Sequence, residues 1–273
     1  MIKKIIFPTA CLAPFISHYM HLEIKIREAY KDIICTFPNG ICMINIIYSE
    51  DLPEFVFSDN SKLKIRSFLS GLLTRAVKIG NTGTFRCIMT YLTPLGAYHL
   101  FEIPQSEYIN RFIPPEWFAR GWDNMVHEVC IHSSDRDRIQ IIENFFKARL
   151  VTSNERPNKY DAIANFITNN KGKIKLDDLI HKFNITPRTL DRNFFTISGL
   201  PPKQYANLIR LELAYQLLLF QEQLSIHDVV YLLGYYDQSH LTREFASYAD
   251  ITPAELKTSS NKILFPKILT PDL

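Results

Sequence analysis

Two sets of polar side chains near the C-terminal end of the sequence have the residue types and spacing needed to contact a nucleic-acid double helix. The first set is Arg188, Asp191 and Arg192, and the second is Gln238, Ser239, Thr242 and Arg243. Arginine offers a fork of donors that fits guanine, and glutamine can pair with adenine through two hydrogen bonds. Asp191 differs, because a carboxylate repels phosphate and can only accept from cytosine or orient an arginine.

The two sets lie in two copies of one pattern, a duplication that indicates a repeated structural unit. The first copy is Thr186, Arg188, Leu190, Arg192, Phe194, Gly199 and Pro202, and the second, fifty-one positions later, is Asp237, Ser239, Leu241, Arg243, Phe245, Asp250 and Pro253. In each copy Leu and Phe are four positions apart and share one helical face, which leaves the polar set on the other. Thr186 and Asp237 are good N-caps, and Pro187 suits the first helical position. We therefore predict helices at about 187–197 and 238–248.

The elements that must position these helices can also be read from the sequence. A short amphipathic helix precedes each copy, at 175–183 and 226–233, and ends at Asn184 or Gly234, which tolerate the positive φ of a tight turn. Between the copies, Pro202 can start a helix that runs to about Gln221. Its length of roughly 28 Å is comparable with the ~34 Å of one DNA turn, so it could hold two recognition helices in successive major grooves.

This C-terminal region resembles the double helix-turn-helix domain of AraC/XylS transcription regulators. The resemblance rests on RLELAYQLL at 210–218, on 225–233 leading into GYYDQSHLTREF at 234–245, and on the closing ITPAEL, and it covers roughly 160–257. It implies that the seven polar residues of the two sets occupy DNA-contacting positions. The N-terminal half resembles an accessory domain of some members through FLSGLLT at 68–74, IGNTGTFRCIMTYLTP at 79–94 and FEIPQSEYIN at 101–110.

The sequence departs from the usual family pattern at a few positions, which concern packing and one C-terminal phosphate contact. They are Ile180 and Val230 in place of Ala, Leu241 in place of Phe, Asp250 in place of Gly, and Leu256-Lys257 in place of Tyr-Arg. Apolar exchanges are tolerated where neighbours repack, and Asp can adopt the left-handed conformation. The architecture is therefore expected to persist.

The N-terminal part is predicted to be a β-rich domain. Strand-like runs at 33–35, 41–48, 55–57, 76–79 and 85–92 alternate with turn signals. A small barrel or sandwich would remove exposed strand edges, and two helices are expected within 116–150, separated near 132–135. We expect an α+β protein with a sensory or dimerisation domain at 1–150, a linker at 151–159 and a DNA-binding domain at 160–260.

Composition limits the location of the protein. The chain has 273 residues, is 47% hydrophobic and carries a net charge of +3, and no apolar run is long enough to span a bilayer. The stretch from Ile5 to Ile16, which follows Lys3 and Lys4, superficially resembles a secretory signal. Pro8 and Pro14 interrupt it, so a first strand followed by a turn is the better interpretation. A soluble cytoplasmic protein without a membrane partner is expected.

No cofactor or metal site is predicted. The five cysteines, Cys11, Cys35, Cys42, Cys87 and Cys130, form no C-x-x-C pair and are expected to be buried free thiols. His99, His127 and His132 lack the spacing of a metal site. Trp117, Phe118, Trp122, Tyr235 and Tyr236 are expected to pack against neighbouring residues, and His240 to be a capping or surface residue. No Walker or G-x-G-x-x-G loop is present.

Three functions remain open. The first is a sequence-specific transcription regulator, in the role of an activator, with double-stranded DNA and RNA polymerase as partners and with a small-molecule effector or a homodimer as further possibilities. The second is a DNA-repair enzyme that carries the same DNA-binding domain; it would need a reactive thiolate, but the cysteines lie mainly in apolar surroundings and no P-C-H-R type motif is present. The third is a protein-binding module, which the retained Arg188, Arg192, Gln238 and Arg243 disfavour. We therefore predict that the protein is not an enzyme.

Overall fold

The computed structural model describes residues 2–26, 35–80, 83–152, 158–249 and 251–258. A β-rich N-terminal part is followed by a C-terminal part that is helical throughout its described residues, so the predicted α+β class is confirmed. Ile33 and Ile34 of the first predicted strand, most of the predicted linker and Asp250 lie outside the described residues.

The described strands form two antiparallel sheets. They are β1 (Ile2–Ile6), β2 (Ile16–Ile26), β3 (Cys35–Thr36), β4 (Met43–Ile47), β5 (Glu54–Val56), β6 (Lys62–Leu63), β7 (Ser67–Ser70), β8 (Val77–Gly80), β9 (Gly83–Leu92) and β10 (Phe112–Ile113). One sheet has the order β1-β2-β9-β4-β7-β10, and the other has the order β3-β8-β5-β6. The strands predicted at 41–48, 55–57, 76–79 and 85–92 are confirmed within a few residues.

The two sheets pack face to face over an aromatic cluster. The Phe55 ring lies 5.1 Å from the rings of Phe68 and Phe112, which belong to the larger sheet. Edge-to-face geometry of this kind adds to the stability that burial supplies. The two sheets are separate layers, so the structure confirms the predicted sandwich and not the alternative of a closed barrel.

The long strand β2 was not predicted. Its polar residues interrupt any apolar run, yet His18 and His21 are buried. Leu22 and Ile24 face the second sheet, whereas His21 faces the helical side, where its Nδ1 lies 2.9 Å from Asp135 Oδ2. A strand that is covered on both faces does not show the simple alternation that sequence analysis detects.

The described α-helices begin after β9. They are α1 (Gly96–Phe101), α2 (Trp122–Ile131), α3 (Asp135–Thr152), α4 (Lys159–Asn169), α5 (Leu176–Phe183), α6 (Pro187–Ser198), α7 (Pro202–Phe220), α8 (Ile226–Leu233), α9 (Gln238–Ala249) and α10 (Pro253–Thr258). The two helices predicted within 116–150 correspond to α2 and α3. Trp122 is buried at the start of α2, and its Nε1 donates to Ser67 Oγ at 2.9 Å, which ties the helices to the larger sheet.

The predictions of burial for Trp117 and for two of the cysteines were wrong. Trp117 precedes α2 in a single 3-10 turn, and 76% of its surface is exposed, so it does not pack as expected. Cys11 is exposed and Cys130 is only half-buried, whereas Cys42 and Cys87 are buried as predicted. Both wrong predictions concern residues in or beside loops and helix ends, where sequence periodicity carries little information.

Two further observations concern metal binding and membrane crossing. In the ranges that the structure covers, no cluster of three or more His, Cys, Asp or Glu side chains is arranged to hold a metal ion. Of the helices described, none combines the length and the apolar character that a membrane crossing requires.

Candidate nucleic-acid interface

The first helix-turn-helix unit consists of α5 and α6. Asn184 ends α5 with a left-handed φ of 44°, and Thr186 caps α6 by accepting a hydrogen bond from the Thr189 N–H at 3.3 Å. Leu190 and Phe194 are buried, with exposures of 1% and 0%. Because these two residues face the core, the opposite side of α6 faces solvent.

The predicted polar set of α6 lies on that exposed side. Arg188, Asp191 and Arg192 are all exposed. The Nε of Arg192 donates to Asn193 Oδ1 at 3.1 Å, and Asn193 Nδ2 in turn donates to the Tyr160 hydroxyl at 2.7 Å, which restrains one edge of the guanidinium group. Among the described residues Asp191 forms no ion pair with either arginine, so the interpretation that it orients one of them gains no support here.

The second unit consists of α8 and α9 and repeats the same construction. Ser225 caps α8 by accepting from the Asp228 N–H at 3.1 Å, and Gly234 ends it with a φ of 66°. Asp237 Oδ1 then accepts from the His240 N–H at 2.7 Å and caps α9. Leu241 and Phe245 are fully buried. The structure therefore confirms the predicted duplication, with helix boundaries that differ by at most one or two residues.

The predicted polar set of α9 is accessible in large part. Gln238, Ser239 and Arg243 are exposed, and Thr242 is half-buried. The neighbouring Tyr236 is 91% exposed, so the prediction that it packs was wrong, whereas Tyr235 is buried as predicted. The exposed surface of α9 thus presents an amide, a hydroxyl and a guanidinium group, all of which can bond to base edges or phosphates.

The helix α7 joins the two units. Its 19 residues correspond to a length of about 28 Å, and most of its side chains are buried. The loop between α4 and α5 packs tightly against it, because Gly172 adopts a φ of 71° and a Cβ there would lie 2.2 Å from the Ala206 carbonyl oxygen. A helix packed on all sides is a stiff connector, so it can fix the distance between α6 and α9.

Sequence reasoning missed a polar network that attaches α9 to α7. Arg210 donates from Nη2 to Glu244 Oε1 at 3.2 Å, and its guanidinium carbon lies 4.3 Å from the centre of the Tyr235 ring. His240 Nε2 also lies 3.4 Å from Glu244 Oε1. The available signal was Arg210, a charged residue within the largely apolar segment 208–219 of α7. Because such a charge must be paired when buried, the network fixes the orientation of α9.

The N-terminal part contacts both helix-turn-helix units. Phe37 is buried against α7 and α9, with ring centres 3.8 Å from Tyr215 and 5.6 Å from Phe245. At the other unit, Ser106 Oγ donates to the Thr196 carbonyl at the end of α6 at 3.4 Å. A third contact pairs buried His99 Nε2 with Asp161 Oδ1 at 2.8 Å. Rearrangement of the N-terminal part would therefore change contacts made by both α6 and α9.

An apolar cavity lies between the sheets and α7. Its volume is about 90 Å³, and it opens to solvent on one side. The strands contribute apolar side chains such as Leu22, Phe55 and Phe85, and α7 contributes Glu212, Tyr215, Gln216 and Phe220. Phe37 also belongs to the wall. A molecule bound in this cavity would touch the residues that connect the two parts of the chain.

Comparison with known families matches the two parts of the chain separately. A family model described as a helix-turn-helix domain matches residues 179–259, and a model described as a domain of unknown function (DUF6597) matches residues 4–114. The transcriptional activator RhaS of Citrobacter koseri is 30% identical over 88 residues, which are 32% of this chain and 31% of RhaS. The chain thus aligns with about a third of the length of this curated relative.

Solved structures share the overall fold. ToxT from Vibrio cholerae in its P21 crystal form has a TM-score of 0.52 and 12% identity, and the match covers 87% of this chain and 97% of ToxT. ToxT bound to (E)-4-(8-methylnaphthalen-1-yl)but-3-enoic acid has a TM-score of 0.51 and 13% identity over the same shares. The helix-turn-helix match therefore falls on the duplicated units built on α5–α6 and α8–α9, and the ToxT structures share the fold of the chain.

Proposed function

We propose that this chain is a transcription regulator of the AraC/XylS family and that it binds a specific DNA sequence by placing α6 and α9 in successive major grooves. The observation that carries the proposal is the exposure of two matching polar sets, at 188–192 and 238–243, on helices whose other faces are buried. A single chain then reads two half-elements about ten base pairs apart, because the ~28 Å connector approximates one helical turn. One copy of the chain per site suffices for this arrangement, and a homodimer would extend the site.

Selection from a genomic DNA pool followed by sequencing tests this proposal. The wild type should enrich an asymmetric site, and Arg192→Ala and Arg243→Ala should each bind it more weakly by roughly 1–3 kcal/mol if the arginine reads a base. Replacement of an arginine that contacts phosphate should instead reduce the slope of log binding constant against log salt concentration by about one. Arg136→Ala is the matched control, because Arg136 is exposed on α3 and away from both units.

An unenriched pool would refute the proposal, as would variants that bind like the Arg136→Ala control. The mass of the complex in solution, with and without the enriched DNA, distinguishes one chain per site from a dimer. Limited proteolysis tests the proposed division into a sensory or dimerisation domain at 1–150, a linker at 151–159 and a DNA-binding domain at 160–260, because cleavage should begin within the linker.

We also propose that binding activates transcription through contact with RNA polymerase. Support comes from the relative RhaS, whose name describes a transcriptional activator. Transcription in vitro from a promoter that carries the enriched site should increase when the protein is added to purified RNA polymerase. A decrease would assign the role of repressor instead.

We further propose that the N-terminal part senses a small molecule. ToxT, which shares the fold, is described in complex with a small organic acid. Here the apolar cavity has Phe37 in its wall, and Phe37 also contacts Phe245 of α9. Suppose that the wall has two arrangements and that a ligand binds one of them more tightly. The ligand would then increase the fraction of the protein in that arrangement and change the fraction that can bind DNA.

The rival function as a DNA-repair alkyl acceptor has less support. Burial raises the pKa of the Cys42 thiol to about 12 and raises the pKa of the Cys87 thiol as well, so both remain protonated and poorly nucleophilic at neutral pH. The relative RhaS is named as a transcriptional activator. We therefore propose that the chain is not an enzyme. Incubation with alkylated DNA and mass measurement of the protein tests this, since transfer of an alkyl group would contradict it.

A further inference from the structure

Among the described residues of the cavity between the sheets and α7, one carries an ionisable carboxyl group. Glu212 is 8% exposed and belongs to the cavity wall. Its Oε2 accepts a hydrogen bond from the Gly40 N–H at 3.1 Å, and its Oε1 accepts from Gln216 Nε2 at 3.4 Å. A carboxylate has about four acceptor positions, so these two neutral donors leave part of its capacity for a ligand.

No positive charge balances this carboxyl group within the described residues. The wall residues include no Lys, Arg or His, and no ion pair to Glu212 occurs in those parts of the chain. The other titratable groups of the wall are the Cys87 thiol and the Tyr91 and Tyr215 hydroxyls. Burial raises the pKa of Cys87 and Tyr91, so neither supplies charge at neutral pH.

The energetics of Glu212 follow from this environment. Burial in apolar surroundings raises the pKa of its carboxyl group to about 7, against the lowering effect of the Gly40 and Gln216 hydrogen bonds. A cation placed beside a buried carboxylate stabilises the charged form, whereas a second carboxylate opposes it. The cavity therefore favours a positively charged head group and disfavours an anionic one.

We propose that the cavity binds an apolar molecule that carries a protonated amine, with Glu212 as its counter-ion and the strand side chains around its apolar part. This inference rests on the proposed effector function of the N-terminal part and names the chemical class of the effector. The ligand differs in charge from the organic acid with which ToxT is described.

Three probes that share one alkyl chain test the head-group preference on the full chain. Calorimetric titration with octylamine, octanol and octanoate should give the tightest binding for octylamine, by about tenfold or more over octanol, because a hydrogen bond to a charged group exceeds a neutral one by this amount. Octanoate should bind more weakly than octanol. Glu212→Gln, which retains a carbonyl oxygen for Gly40, should remove the preference, whereas Glu116→Gln at an exposed position should retain it.

Tightest binding of octanoate, an amine preference that persists in Glu212→Gln, or no binding of any probe would overturn the inference. The DNA selection described above separates this failure from failure of the proposed function. If the protein enriches a DNA site but does not prefer octylamine, only the proposed ligand class is refuted. If the protein prefers octylamine but enriches no DNA site, the proposed regulatory function is refuted.

Discussion

Replacement of Glu212 by Gln should stabilise the folded protein relative to the wild type by an amount that grows with pH. In the unfolded chain this carboxyl group ionises near its ordinary pKa of 4.5, whereas in the folded protein burial raises the pKa to about 7. Between these values the folded state holds the proton more tightly than the unfolded state. The stabilisation from Glu212 is therefore present in full below about pH 4.5 and is lost as the pH rises through 7.

The magnitude follows from the same two values. One pKa unit corresponds to ~1.4 kcal/mol, so the interval from 4.5 to about 7 corresponds to roughly 3 kcal/mol between the two ends of the pH range. Gln keeps a carbonyl oxygen for the Gly40 N–H but has no proton to lose. Its stability relative to the wild type should thus rise by this amount from about pH 4.5 to about pH 8, measured by urea unfolding at a series of pH values.

Glu116→Gln is the control, because this exposed carboxyl group should leave the pH dependence unchanged. The reasoning would be refuted if the difference in free energy of unfolding between Glu212→Gln and the wild type stayed constant across this pH range. It would mean that Glu212 is solvated or paired in the folded protein, and the argument for a cationic ligand would lose its basis.

Three further substitutions test how the two parts of the chain are held. Phe37→Ala should lower the free energy of unfolding by about 3–5 kcal/mol, since the ring is 3% exposed, while Phe7→Ala at a 74% exposed position should change little. Ser225→Ala should cost about 1 kcal/mol through loss of the α8 cap, as measured by urea unfolding. Gly172→Ala should destabilise by more than ~1 kcal/mol and lower the melting temperature, because φ is 71° and a Cβ would meet the backbone oxygen of Ala206.

Each of these expectations has a result that would contradict it. Equal effects of Phe37→Ala and Phe7→Ala would show that the contact with α7 and α9 contributes nothing to stability. A Ser225→Ala variant as stable as Ser247→Ala, which alters an exposed serine outside the cap, would remove the capping argument. An unchanged melting temperature in Gly172→Ala would mean that the loop before α5 can move away from α7.

The sequence alone determined the local structure of the C-terminal part. The repeat from Thr186 and from Asp237 placed α6 and α9 within one or two residues, and Asn184 and Gly234 marked the turns. These features depend on capping and on helical periodicity, which act over a few neighbouring residues. The polar sides of both helices could be assigned for the same reason, and the structure leaves all but Thr242 exposed.

Only the tertiary structure decided which residues are covered by distant parts of the chain. Nothing near Phe37 in the sequence indicates that it packs between Tyr215 and Phe245, and nothing near Glu212 indicates a cavity. The prediction that Trp117 and Tyr236 pack against neighbouring residues was wrong for the same reason. Periodicity tells which face of an element is apolar, but burial depends on which elements lie against that face, and contacts across long sequence separations set this.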